Sequence, residues 1–195
     1  MKKNDNYFGY HFFSSILKFV GNIVYGGKVI GKENLNIDNG FVLAGNHVSS
    51  VDCYLFYKAL KRPIYTIGKK ELYDSKLAWF FKIMNVIPVD RKNKNPKAKE
   101  EAINKLKDGN IILIFPEGTF HKKEGELLLP FKPGAIDFSI KADVPIVPFA
   151  IISKFKFRCN PKIVFGKPFY AKDIKEEDRI KYLEDIVRNL IIENS

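Results

Sequence analysis

His47 and Asp52, five residues apart in the run AGNHVSSVD (44–52), are the residues of this chain best suited to acid–base chemistry. A carboxylate that accepts from one imidazole nitrogen fixes the tautomer and leaves the other nitrogen as a general base. On one helix the spacing would set the two side chains about 140° apart, so they would not meet. The pairing needs a strand, a turn and then a helix start. The apolar run FVLAG (41–45) offers the strand and delivers Asn46 and His47 at its carboxyl end. Ser49 or Ser50 can cap a helix over 51–60, with Asp52 in its first turn. In open α/β sheets ligands bind at this edge. The same residues also suit a plain structural role, with Asp52 charging its own helix and His47 satisfied in a turn.

A second constellation has the same shape. In ILIFPEGTFHKK (112–123) a buried strand ends at Phe115-Pro116, and Glu117, Gly118 and Thr119 form a turn followed by Lys122 and Lys123. Glycine lets a ligand approach the backbone closely, and lysines add positive charge. IPVDRK (87–92) ends a third strand with a cation, Arg91, and VPIVPF (144–149) is a fourth, apolar strand bracketed by prolines. Other chemistries lack their signatures: there is no GxSxG, HExxH, GxxxxGK[ST], GxGxxG or zinc-ligand spacing. Three histidines (11, 47 and 121) do not make a histidine-rich metal site, so no metal is expected.

The elements that must position these residues alternate. Strands are expected at 41–45, 64–68, 86–89, 110–115, 144–151 and 161–166, and helices at 51–60, 74–84, 95–109, 133–143 and 176–193. Asp74 or Ser75 is the expected cap of the second helix, and Pro88 marks its strand as an edge or an end. Such alternation predicts an α/β fold, a mixed, largely parallel sheet flanked by helices. Before it, YFGYHFFSSILKFVGNIVY (7–25) is about as long as a membrane span. His11, Ser14, Ser15, Lys18 and Asn22 interrupt it at three- or four-residue intervals. It reads as an N-terminal amphipathic helix lying in a membrane interface. The alternative is a helix packed on the protein's own core. The division expected is a membrane-docking segment, 1–28, and a catalytic domain, 29–195.

The 195 residues carry a formal net charge of +11, which favours an anionic partner. Only five basic residues are arginine (62, 91, 158, 179 and 188), leaving 28 of the 33 as lysine. That bias disfavours sequence-specific DNA reading, which leans on bidentate arginine–guanine contacts, and no nucleic-acid partner is expected. Cys53 and Cys159 stand far apart in the chain; two reduced thiols are expected, with a single bridge between them as the alternative. No cleavable signal peptide is expected at the N-terminus.

Together the motifs resemble those of the PlsC-type glycerolipid acyltransferase family. Its NHxSxxD motif matches Asn46, His47, Ser49 and Asp52. FPEGTR matches Phe115 to Thr119, VPIVP matches Val144 to Pro148, and GxIxxxR matches Ile87 and Arg91. GKENL (31–35) and FKPGA (131–135) resemble flanking segments, so the likeness runs over roughly residues 29–170. Two positions depart from the pattern: Asn85 replaces a glycine and Phe120 replaces the arginine of FPEGTR, which in the family helps hold the acceptor's phosphate.

The resemblance implies acyl transfer from a thioester, acyl carrier protein or coenzyme A, to the free hydroxyl of 1-acyl-sn-glycerol 3-phosphate. His47 would be the general base and Asp52 its orienting partner, with no acyl-enzyme, no metal and no cofactor beyond the donor substrate. Asn46, Ser49, Arg91, Glu117, Gly118, Thr119, Lys122 and Lys132 would bind substrate, and amides around Val147 would stabilise the oxyanion. Phe120 leaves two alternatives. Either Arg91, Lys122, Lys123 or Lys132 supplies the missing charge, or the acceptor is a lipid hydroxyl without a phosphomonoester. Membrane lipids are the expected partners, and the expected place is the cytoplasmic face of the cell membrane, attached monotopically.

Overall fold

Residues 41–45 and 111–114 are apolar without alternation because both faces of their strands are covered. They are β2 (Phe41–Gly45) and β5 (Ile111–Ile114), adjacent parallel strands at the centre of a seven-stranded sheet. The computed structural model describes residues 7–90, 96–120, 126–153 and 156–195. The other strands are β1 (Lys28–Ile30), β3 (Ile64–Lys69), β4 (Val86–Val89), β6 (Ile146–Ile152) and β7 (Lys162–Phe165). Their order is β1-β7-β6-β2-β5-β3-β4, and among the described strands only the β6–β7 pair is antiparallel. The sheet is therefore mixed and mostly parallel. β4, with Pro88, is an edge strand, where a proline removes no ladder bond.

Helices cover both faces. α2 (Cys53–Ala59) contributes Tyr54, Leu55 and Phe56 to a core cluster with Leu43, Phe149 and Phe165. α4 (Pro96–Lys107), α5 (Gly134–Ala142) and α6 (Arg179–Asn194) bury Ala102, Ile136 and Val187 in a second cluster with Val42, Ile112 and Ile146. From β2 the chain crosses by α2 to β3, while from β5 it crosses by α5 to β6 on the other face. The carboxyl ends of β2 and β5 thus lie where the winding changes direction, the position of the ligand crevice in doubly wound sheets.

α1 (Phe8–Val24) is not a free arm: Tyr10, Ser14 and Gly21 are buried, and the Tyr10 hydroxyl accepts the Ile64 N–H at 3.1 Å. Lys58 ties its carboxyl end, donating to Asn22 Oδ1 and to the Gly26 and Gly27 carbonyls. Phe8, Phe12, Ile16, Phe19 and Ile23 remain exposed. Among the described residues no helix is long and apolar enough to cross a membrane.

Three local expectations change. β1 falls where none was expected, because its three residues are held by parallel pairing to β7, more than 130 positions away. α3 is shorter than 74–84, running Ala78–Ile83, and no side chain caps it. Ser75 instead makes a local turn, its hydroxyl accepting the Leu77 N–H. Asn85, standing where the resemblance has glycine, has a φ of 55°. That left-handed region is where asparagine is the best substitute for glycine.

Gly45 is the last residue of β2, and a Cβ there would lie 2.0 Å from the Phe149 carbonyl oxygen. No rotamer relieves a clash with backbone, so the strands would have to separate at the site's edge. Gly45→Ala should cost at least about 2 kcal/mol. A denaturation midpoint equal to that of the parent protein would contradict this close approach.

Candidate active site

Where β2 ends, its backbone leaves the sheet, and the polar groups it exposes are taken up by three buried side chains. Asn46 continues the strand pairing with its amide. Its Nδ2 donates to the Ile151 carbonyl at 2.9 Å, and its Oδ1 accepts the Ile151 N–H at 2.7 Å. This mimics a backbone pair, so the main chain can turn away while β6 stays satisfied. Glu117, after β5, accepts the His47 N–H at 2.9 Å on one carboxylate oxygen and the Leu129 N–H at 3.0 Å on the other. Asp52 sits at the mouth of α2 but does not cap it. Its carboxylate turns back to accept the N–H groups of Val48 (2.9 Å) and Ser49 (3.1 Å).

The same carboxylate meets the imidazole: His47 Nδ1 lies 2.8 Å from Asp52 Oδ2. Asp52 is wholly buried and its other contacts at this turn are all donors, so it acts as an acceptor and Nδ1 carries the proton. Nε2 then bears the lone pair, and it has no hydrogen-bond partner among the described residues. The His47 side chain keeps 19% exposure, so a substrate can reach it. Its ring stacks on Phe115, with centroids 3.7 Å apart and planes 13° apart. Phe120 lies 4.3 Å away at 44°. Phe120 thus touches the imidazole at a tilt rather than in a parallel stack. The histidine is held by a carboxylate at one edge, by a stacked Phe115 ring and by the tilted ring of Phe120.

The other expected site residues divide. Ser49 belongs to the same turn, its hydroxyl accepting the Val51 N–H. Gly118 takes a φ of 74°, which a tight turn after Glu117 requires. Thr119 is exposed beside it. Lys132 is exposed and is drawn to this turn by its own N–H, which donates to the Pro116 carbonyl at 3.1 Å. Arg91, Lys122 and Lys123 lie outside the described residues. Val147 is not brought to the imidazole. It is wholly buried opposite Leu43, two rows inside the terminal pair Gly45–Phe149. Pro148 faces β7, its carbonyl accepting the Gly166 N–H, so the Val147 N–H faces β2 within the sheet.

An apolar cavity of about 340 Å³ opens beside the turn that carries His47 and Asp52. Ser50 and Val51 of the turn line it, with Leu17 and Gly21 of α1 and Phe80 and Phe81 of α3. Cys53 also borders it, but burial, aided by the Asp52 carboxylate, pushes its thiol up to about 12. Such a thiol is protonated at neutral pH and is a poor nucleophile.

The acyltransferase family model matches residues 27–152, the stretch that holds both strand ends of the site. The chain belongs to the acyltransferase family. This acyltransferase is 34% identical over 171 residues to a 1-acyl-sn-glycerol-3-phosphate acyltransferase of Bacillus subtilis, covering 84% of each chain. It is also 34% identical over 155 residues to a probable enzyme of the same name from Mycoplasma pneumoniae, covering 72% of this chain and 56% of that one. Its fold resembles the crystal structure of the 1-acyl-sn-glycerophosphate acyltransferase PlsC of Thermotoga maritima, with a TM-score of 0.70 and 24% identity. That likeness covers 99% of this chain and 84% of the other.

Sequence reading missed how much of this acyltransferase's site is made of partners distant in the chain. The stacking of Phe115 and Phe120 and the buried bonds of Asn46 and Glu117 have no local signal beyond the motifs that contain them. Glu117→Gln keeps the shape of the side chain but turns one acceptor into a donor facing an N–H. Leaving a buried amide unpaired costs about 1–3 kcal/mol, so a lower melting temperature and a fall in kcat are expected. An acceptor KM that rises with stability unchanged would instead assign Glu117 to substrate.

Proposed function

We propose that this acyltransferase moves a fatty acyl group from an acyl thioester to the free hydroxyl of 1-acyl-sn-glycerol 3-phosphate, giving phosphatidic acid. The observation that carries this reading is the 2.8 Å contact between His47 Nδ1 and the buried Asp52 carboxylate at the sheet's carboxyl edge. The names of the relatives supply the acceptor. His47 Nε2 takes the proton of the acceptor hydroxyl as its oxygen attacks the thioester carbonyl. Asp52 holds the imidazolium through Nδ1–H. The tetrahedral intermediate then collapses, the carbon–sulfur bond breaks, and the thiolate takes the proton from Nε2 to leave as a free thiol. No protein nucleophile is needed, which agrees with a Cys53 thiol that stays protonated.

The donor is a thioester of acyl carrier protein or of coenzyme A, both anionic and both suited to a chain of net charge +11. The apolar cavity beside Ser50 and Val51 suits an acyl chain. Lys132, next to the Glu117–Thr119 turn, suits an acceptor phosphate, with Arg91 and Lys122 as further cations. Phe120 against the imidazole favours a second reading in which the acceptor lacks a phosphomonoester.

We further propose that α1 docks the enzyme monotopically on the cytoplasmic face of the membrane. Phe8, Phe12, Ile16, Phe19 and Ile23 share one exposed side, His11, Ser15, Lys18 and Asn22 flank it, and the segment 7–25 has no acidic residue. Both substrate and product are bilayer lipids, so docking spares the extraction of an acyl chain into water.

His47→Ala should lower turnover by about three orders of magnitude or more, with the fold kept. Thiol release is the readout, with each thioester and with acceptors that do or do not carry a phosphomonoester. Near-normal turnover in the variant would sink the general-base assignment. If a phosphate-free acceptor wins, the second reading replaces the first while the chemistry stands. Phe12→Glu with Phe19→Glu should release the protein from anionic vesicles in sedimentation; unchanged partitioning would refute docking through α1.

A further inference from the structure

Leu77 and Trp79 are 53% and 54% exposed, although both open a short helix whose next residues, Phe80 and Phe81, line the apolar cavity. α3 therefore shows apolar side chains in two directions, toward the protein and toward solvent. The Trp79 ring packs against Phe13 of α1 at 5.8 Å, and Phe80 packs there at 5.5 Å. At about 100° per residue, the exposed Phe8, Phe12, Ile16, Phe19, Val20 and Ile23 occupy roughly 120° of the α1 circumference. Phe13 falls just beyond one border of that sector, and His11, Ser15, Lys18 and Asn22 fall beyond the other. Trp79 thus lies on the side where the apolar sector continues, away from its polar edge.

We infer that α3 is a second membrane-contacting element, in which Leu77 and Trp79 extend the α1 sector and enter the interface of an anionic phospholipid bilayer. This rests on the docking reading given above for α1. A tryptophan with an apolar body and one polar N–H suits the headgroup level of a bilayer. Charge favours lipid as the occupant. Lys69, Lys70, Lys76 and Lys82 are exposed along 69–82 against the acidic Glu71 and Asp74, and Lys18 is exposed on α1. Basic residues beside an inserted apolar surface strengthen its hold on anionic headgroups. Continuity with the site favours it too. α1 and α3 are the same helices that wall the cavity reaching Ser50 and Val51, next to His47. A bilayer against both helices would place lipid chains at the open side of that cavity.

Trp79 is the only tryptophan of the chain, so the unmodified protein carries its own probe. Its emission is read with and without unilamellar vesicles of phosphatidylglycerol and phosphatidylcholine, and co-sedimentation is measured on the same samples. The expected result is a shift to shorter wavelength on binding, with stronger quenching by lipids brominated near the headgroup end of the chain than near its tip. Protein that sediments with vesicles while its emission stays unchanged and unquenched overturns the role of α3 and leaves docking through α1 standing. Failure to sediment overturns both. A shift that grows with protein concentration in the absence of lipid assigns the face to a second copy of the chain and overturns a lipid occupant. As a second arm, Trp79→Glu should weaken vesicle partitioning about tenfold, on the scale of burying one aromatic side chain. Its turnover of soluble, short-chain substrates should be unchanged; a variant that partitions normally also overturns the inference.

Discussion

A strand that ends inside a covered sheet leaves backbone donors and acceptors with no ladder partner, and burying them unpaired is costly. The site of this acyltransferase is organised by how that constraint is met at the end of β2. Asn46 replaces the missing ladder partner of Ile151, Glu117 takes the amides of His47 and Leu129, and Asp52 takes those of Val48 and Ser49. These bonds set the path of the turn, and the path puts His47 Nδ1 within 2.8 Å of Asp52. The contact between His47 and Asp52 follows from the same bonds that satisfy the turn.

This economy explains why two acidic side chains sit deep in a basic protein. Asp52 is wholly buried and Glu117 is 4% exposed. Each accepts hydrogen bonds from backbone N–H donors, which compensate for lost water. A neutral substitute would fill the same space without accepting as many bonds. Around the imidazole the surroundings are apolar instead. Phe115 stacks on His47, Phe120 contacts it at a tilt, and Phe56 and Phe149 pack edge-on against Phe115. The histidine is therefore restrained in position and rotation, with one edge turned to a carboxylate.

The helices on the α2 face serve a different need. α1 is anchored by Tyr10 and Gly21 against β3 and α2, and Gly21 permits an approach that a Cβ would block, since it would meet the Tyr54 ring at 2.3 Å. α1 and α3 also enclose the apolar cavity beside the turn of His47 and Asp52. The outer sides of both helices remain apolar and exposed. A packed protein normally leaves such surface uncovered only in scattered places, and here it is contiguous with the walls of a cavity that reaches the site.

Much of this was legible in the chain. Alternating apolar runs with glycine and proline punctuation determine an α/β sheet flanked by helices, because strands covered on both faces need unbroken hydrophobicity. The spacing of Asn46, His47, Ser49 and Asp52 determines that only a strand–turn–helix path lets the histidine meet the aspartate. Pro88 marks an edge. What no local pattern contains is pairing across the sheet. The three residues of β1 are strand only because β7 lies beside them, and Phe120 reaches the imidazole only because β5 ends next to β2. Val147 sits in a motif whose sequence suggests a site residue, yet its strand places it two rows inside the sheet. Residue types and spacing decided which groups the acyltransferase has for its chemistry. Tertiary structure decided which of them meet, because strand order and register are set by contacts between residues from 10 to 134 positions apart.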